Sequence, residues 1–325
     1  MKHIFIINPV SGTSNAQTIL EPAIRKAAEA LSLPLQVIQT KYPGHAREIA
    51  EQYAKEGEPV RFYACGGDGT LNEVVSGTLG YPNAETACVP CGSGNDFIRN
   101  FGTRDEFLNL EDLIRGESCS IDLIRTQYGI STSICSAGLD AQVAYGIAKF
   151  RRIPFAGGET AYILSLLTSL CTRLGHRLRI QADDEVFTGK YLMLAICNGT
   201  TYGGGFKAAP QADLQDGLLD LVMVKKISRF RIAGFVNTYK QGKHIVNGAV
   251  IPEVQDLMIY RRVKNVSIEV LDHRPIVITQ DGECVPIMQL NASVEEDAVR
   301  IVLPRAIVNR TERFFLRSSQ MSQQA

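Results

Sequence analysis

Residues Cys65 to Asn72, Cys-Gly-Gly-Asp-Gly-Thr-Leu-Asn, constrain the chain more than any other stretch, because three glycines surround one carboxylate directly after an apolar run. Val60 to Ala64 reads as a buried strand and Thr70 to Leu79 has helical apolar spacing, so the glycines fall at a strand-to-helix turn. Such a turn suits a phosphate. Glycines let an oxyanion approach the backbone amides, and the unpaired N–H groups and dipole of the following helix favour negative charge. Asp68 opposes a bare phosphate, which argues for a metal ion between carboxylate and phosphate. Taken alone, the segment is also compatible with an ordinary tight turn bearing a solvated aspartate.

The rest of the first third alternates strand and helix patterns. Lys2 to Asn8 is strand-like, Ala16 to Leu31 helical, Leu35 to Thr40 strand-like and Ala46 to Lys55 helical. Beyond the glycine turn, a short strand at Thr86 to Val89 leads into Gly92-Ser93-Gly94-Asn95-Asp96 and a helical stretch with Phe97, Ile98 and Phe101. This alternation predicts a parallel sheet covered by helices, with ligands at the carboxyl ends of its strands. Loops 8–13, 66–70 and 92–96 would meet there. After Asp122 the chain turns to short β-prone runs at 121–126, 131–135, 178–180, 191–197, 218–224, 266–270, 276–279 and 299–302. Helical patterns intervene at 141–149, 160–174 and 229–240, so the second domain reads as largely antiparallel β with inserted helices. The polar Gln/Ser-rich tail, 318–325, is expected to be disordered.

Composition narrows the class of protein. A length of 325 residues exceeds one comfortable core, and 45% hydrophobic with 21% charged residues describes an ordinary globular chain. The formal net charge of +0 provides no general attraction to nucleic acid. The 8 cysteines are dispersed within apolar runs, as small core residues of a reducing compartment. Cys88 and Cys91 form a C-x-x-C pair that no second pair or nearby histidine completes as a zinc site. The apolar stretch 161–174 falls short of the ~20 residues a spanning helix needs. Its basic flanks, Lys149, Arg151 and Arg152 on one side and Arg173, His176, Arg177 and Arg179 on the other, suit an anionic lipid surface, and a core helix with solvated ends reads equally well.

Together the loops are more specific than any one of them. Asn8-Pro9-Val10-Ser11-Gly12, Gly66-Gly67-Asp68-Gly69-Thr70-Leu71-Asn72-Glu73 and Gly92-Ser93-Gly94-Asn95-Asp96, in that order, resemble the nucleotide-binding domain of the diacylglycerol kinase catalytic family, which includes sphingosine kinases and bacterial soluble lipid kinases. The resemblance continues through 136–141, Cys197-Asn198-Gly199, 202–205, Ala209-Pro210, 213–220 and Asp281-Gly282-Glu283, covering roughly residues 4–309. It implies an ATP-binding domain over 1–124, a lipid-acceptor domain over 125–302 and a segment at 303–317 that returns to the first domain. It also implies transfer of the ATP γ-phosphoryl group to a lipid hydroxyl, with Mg²⁺.

On that resemblance, Asn8, Pro9, Ser11, Gly12, Thr40, Gly66, Gly67, Gly69, Thr70, Asn72, Ser93, Asn95 and Glu283 are nucleotide-site residues, with Ser93 standing where the family usually has threonine. Asp68 and Asp96 are the carboxylates for catalytic magnesium, with Asp122 a lesser candidate. Asp213, Asp216 and the Leu218 carbonyl match a second, structural magnesium site, whose plainer reading is an Asp-Gly turn before a strand. Asp281 is our choice of base for the acceptor hydroxyl, and Asp68 remains open for the same role. Diacylglycerol is the first acceptor expected, with a sphingoid base, phosphatidylglycerol or a polyprenol as alternatives. A kinase of the NAD type and a non-catalytic nucleotide or lipid sensor are the other readings. The implied setting is cytoplasmic with peripheral membrane contact, and an edge strand leaves a homodimer open. Arg313-Phe314-Phe315-Leu316-Arg317 is a second membrane candidate.

Overall fold

Short runs of β-branched and aromatic residues such as Lys2–Ile7 and Val60–Gly66 are buried on both faces, as strands of a helix-covered parallel sheet are. We describe a computed structural model of the protein over residues 1–12, 16–92, 94–139, 141–143, 145, 168, 174–281 and 283–311. The chain divides into two compact units, Met1–Leu123 with the chain from Glu296 onward, and Ile124–Glu295.

The first unit runs β1 (Lys2–Ile7), α1 (Ala16–Ala30), β2 (Gln36–Gln39), α2 (His45–Ala54), β3 (Val60–Gly66), α3 (Asp68–Thr78), β4 (Ala84–Pro90), α4 (Arg104–Leu108), α5 (Leu110–Ile114) and β5 (Glu117–Thr126), whose last residues pass into the second unit. Strands pair in the parallel order β2, β1, β3, β4. Because β1 lies between β2 and β3, the connections leave β1 in opposite directions, and a crevice opens at the carboxyl ends of β1 and β3. α3 starts at Asp68 rather than Thr70, with Gly67 as its N-cap, so the carboxylate is the first helical residue and not part of a preceding turn.

A buried polar network braces the amino-terminal side of these strands. Arg61 of β3 donates to Glu85 of β4 at 3.0 and 2.8 Å and to the carbonyls of Ile114 and Gly116 at 2.8 and 3.1 Å. Ser118 and Arg300 reach the other Glu85 oxygen at 2.7 and 3.0 Å. Nearby, His3 pairs through Nδ1 with the Tyr63 hydroxyl at 2.8 Å. Burial and the Arg61 charge push the His3 imidazole down to about 4. Below roughly pH 6.5 the unfolded chain takes up a proton that the folded chain refuses, so stability is expected to fall as pH drops from there toward 4. Urea unfolding across that window checks this, and His3→Asn should flatten the slope.

The second unit contains β6 (Gly129–Ser131), β7 (Ile134–Gly138), β8 (His176–Ala182), β9 (Glu185–Cys197), β10 (Leu219–Lys225), α6 (Arg229–Lys240), β11 (Ile245–Val246), β12 (Ala249–Val250), β13 (Met258–Val263), β14 (Asn265–Val270), β15 (Ile276–Gln280), β16 (Glu283–Ile287) and β17 (Gln289–Leu303). Its sheet runs β16, β15, β7, β9, β8, β14, β17, with β10 and then β13 attached to β9, and these pairings are antiparallel. Both faces are covered. Leu194 and Ile196 of β9 enter one hydrophobic cluster, while Met193, Ala195 and Cys197 enter the other with Ile232, Phe235 and Tyr239 of α6. The carboxyl half of β17 belongs to the first unit, where Ile301 and Val302 pair in parallel with β4. α7 (Arg305–Arg310) follows, and Arg310 forms an ion pair with Glu106 of α4. His176 is 1% exposed, so it cannot join the basic surface suggested by sequence. Ser93, Gly282, most of 146–173, the 313–317 segment and the tail lie outside the described residues.

Candidate functional site

Three loops of the first unit close on one another at the switch point. Asn8 follows β1, and its amide donates to the Cys65 carbonyl at 3.0 Å while its Nδ2 donates to Thr70 Oγ1 at 3.0 Å. The same side chain accepts from Val10 N at 3.1 Å, turning the chain through Pro9 and Ser11. Gly12 then adopts φ +80°, and a Cβ there would stand 2.2 Å from the Cys91 carbonyl oxygen. Gly66 ends β3, and its carbonyl accepts from Cys91 N at 2.9 Å, Gly92 N at 3.1 Å and Asn95 Nδ2 at 3.0 Å. A Cβ on Gly92 would meet Gly67 Cα at 2.6 Å, so the two backbones touch with no room for a side chain.

The carboxylates lie beside this junction. Asp68 accepts from Asp96 N and Phe97 N, each at 3.2 Å, one on each oxygen. The missing Cβ of Gly94 marks a point 3.2 Å from Asp68 Oδ2 and 3.8 Å from Asp96 Oδ2, so the two acids flank one spot. Asp96 is 8% exposed and pairs with Arg99 at 3.1 Å. Asn95, buried at 3% and held at φ 52°, has an Oδ1 with no partner among the described residues. Two acids and an unmatched acceptor fit a hydrated divalent cation, whose water ligands donate hydrogen bonds. Asp122 is buried with Oδ1 held by Asp297 N at 2.9 Å.

Thr40 follows β2, and its amide donates to the Ile7 carbonyl at 2.9 Å. Asn72 accepts from Ser76 within α3. Glu73 has no role that its place in the sequence suggests, yet its two oxygens accept from Gly44 N at 2.9 Å and Ala46 N at 3.1 Å, tying the loop after Thr40 to α3. An acid one turn inside a helix gives no local signal that it caps another helix. Gly69 differs from Gly92, since a Cβ there meets nothing within 4 Å. Gly92→Ala should therefore lower the melting temperature, whereas Gly69→Ala should leave it unchanged and weaken nucleotide binding alone. Thermal melting and nucleotide titration separate the two.

The remaining candidates lie in the second unit. Asp281, at φ 44°, accepts from Ser131 Oγ at 2.7 Å, Thr132 N at 2.6 Å, Thr132 Oγ1 at 2.8 Å and Ser133 N at 3.3 Å, two donors on each oxygen. It thereby anchors the loop between β6 and β7, whose Ser133 carbonyl accepts from Asn198 N at 2.8 Å and Gly199 N at 2.9 Å. Glu283 is exposed at the start of β16. Asp213 and Asp216 each accept from the amide two residues on, Gln215 N at 3.2 Å and Leu218 N at 3.0 Å, and the second Asp216 oxygen pairs with Arg262. Among the described residues no group of three or more His, Cys, Asp and Glu is arranged to hold a metal.

A parallel sheet with glycine loops in contact and two neighbouring carboxylates at its switch point, followed by an antiparallel β unit, is the architecture of a phosphotransferase. The family model described as "Diacylglycerol kinase catalytic domain" matches residues 2–126, and that described as "YegS C-terminal NAD kinase beta sandwich-like domain" matches residues 133–303. The chain belongs to the diacylglycerol kinase family and is a kinase with an alcohol group as acceptor. It is 25% identical over 306 residues to a diacylglycerol kinase of Staphylococcus carnosus, covering 94% of this chain and 95% of that protein. Identity is 28% over 307 residues to one of Staphylococcus aureus, covering 94% and 93%. The crystal structure of a diacylglycerol kinase from Bacillus anthracis superposes with a TM-score of 0.67 at 18% identity, over 94% of this chain and 98% of that one. Among the described residues no helix is long and apolar enough to cross a membrane.

Proposed function

We propose that the protein transfers the γ-phosphoryl group of ATP to a lipid hydroxyl, with diacylglycerol the favoured acceptor and phosphatidic acid the product. The observation that carries this reading is the pairing of Asp68 and Asp96 at one point beside the junction of Gly12, Gly67 and Gly92. Backbone amides of the three loops receive the phosphates, and the α3 amino terminus contributes its dipole. Asp68 and Asp96 would hold magnesium, which neutralises charge developing on the transferred group. Asp213, Asp216 and the Leu218 carbonyl would hold a second, structural magnesium in competition with Arg262.

Asp281 is the proposed base. Its oxygens already accept four hydrogen bonds, so one donor has to release before the lipid hydroxyl can deliver its proton. Asp281→Asn is expected to abolish turnover with ATP affinity near wild type, and activity retained within about tenfold would overturn the base assignment. Ser131→Ala serves as the control for loop anchoring, since it removes one donor and keeps the carboxylate. The relatives named diacylglycerol kinase favour that acceptor. Transfer of ³²P from ATP into mixed micelles of diacylglycerol, a sphingoid base, phosphatidylglycerol or a polyprenol, resolved by thin-layer chromatography against NAD, tests the reading. Label only in NAD, or in no lipid, would refute it.

A further inference from the structure

Three strands of the second unit bring cations together from distant parts of the sequence. Arg177 of β8 lies directly opposite Lys190 of β9 in the antiparallel register, so their side chains leave the same face. Lys225 of β10 is opposite Tyr191 and so leaves the other face, whereas Lys226 N donates to the Lys190 carbonyl at 2.8 Å, which sets Lys226 beside the Arg177 and Lys190 pair. All four basic residues are exposed. The chain then enters α6 as Arg229-Phe230-Arg231, with Ser228 capping the helix by accepting from Arg231 N at 3.4 Å.

That cap and the burial of Ile232, Phe235 and Tyr239 at 3%, 6% and 3% orient the helix, and Phe230 is left 92% exposed. No other large hydrophobic side chain among the described residues is as exposed. A single exposed apolar residue is ordinary, but this one stands within Lys225 to Arg231, which holds four cations and no acid in a chain of net charge +0. Arg231 of that run pairs with Asp256 at 2.8 Å. An aromatic ring within a field of cations suits the boundary between anionic headgroups and acyl chains. A nucleic-acid strand instead calls for successive stacking platforms, and here there is one ring.

We propose that Lys226 to Arg231, with Arg177 and Lys190, is the surface that docks this kinase on an anionic bilayer, with Phe230 entering the interface. The inference rests on the proposed reading that the acceptor is a membrane lipid. Its test does not use turnover. The full chain is sedimented with vesicles of phosphatidylcholine, with and without phosphatidylglycerol. Wild type is expected to bind the anionic vesicles preferentially, and binding should weaken as salt rises. Phe230→Asp and Lys190→Glu/Lys226→Glu should each weaken that binding by about tenfold, with unchanged melting temperature, while Lys26→Glu/Arg115→Glu on the first unit binds like wild type. Wild-type-like vesicle binding by both patch variants would overturn the proposal. So would loss confined to a short DNA probe, which would make the patch a nucleic-acid contact. Phosphorylation of a water-soluble short-chain acceptor, measured in parallel, should be unaffected by either patch variant; its absence in wild type would count against the kinase reading and leave the vesicle result standing.

Discussion

Asp68→Asn is expected to reduce turnover by roughly a thousandfold while the protein stays folded, because on the proposed function it removes a carboxylate that would hold magnesium beside the glycine loops. The carboxylate accepts one backbone amide on each oxygen, from Asp96 and Phe97. Asparagine keeps one acceptor and turns an NH₂ toward the other donor, at a cost of about 1 kcal/mol. That is too small to unfold the unit. The signature is in metal dependence: the variant should need more magnesium for half-maximal rate, whereas Asp281→Asn should leave that dependence unchanged. If Asp68→Asn retained both wild-type magnesium dependence and turnover within about tenfold, Asp68 would have no part in the metal site.

The largest stability effect is expected at the Arg61 and Glu85 pair. Both side chains are about nine-tenths buried, and Glu85→Ala would leave a guanidinium in the interior with only the carbonyls of Ile114 and Gly116. Breaking such a pair costs about 3–5 kcal/mol, and Arg61→Leu/Glu85→Leu should recover much of the loss because neither charge is then stranded. Urea midpoints of the two variants against wild type decide this, and equal destabilisation by both would refute the stranded-charge account. Burial pushes the Glu85 carboxyl up, but the Ser118 hydroxyl, Arg61 and Arg300 outweigh it and hold the carboxyl below its ordinary value. The resulting stabilisation is present above the unfolded carboxylate range and is lost as pH falls through the lowered value, below the window in which His3 acts.

Much of the first unit is legible locally. Strands β1 and β3 and helix α2 are each within a residue or two of where apolar periodicity puts them, because burial on one or both faces leaves a repeating pattern. Elements without that pattern escaped. β13 carries Arg261 and Arg262 where alternation is expected, β16 contains Pro286, and Glu295, Glu296 and Asp297 interrupt β17, of which only the last residues were visible. The two-residue shortfall at the start of β4 and the five-residue helices α4 and α5 have the same origin, since short elements hold too few positions to display a period.

Sequence by itself determined the alternation of the longer strands and helices in the first unit, the identity of the glycine loops and the chemistry each side chain brings, since these depend on near neighbours. Only the tertiary structure decided that Gly12 abuts Cys91, that Gly92 touches Gly67, that Asp68 is pinned by the amides after Asn95, and that Asp281 is held by a loop 150 residues earlier. Strand order and register create those contacts, and neither is written in any local stretch of the chain. Arg177, Lys190 and Lys226 follow the same rule, being neighbours only because β8, β9 and β10 pair.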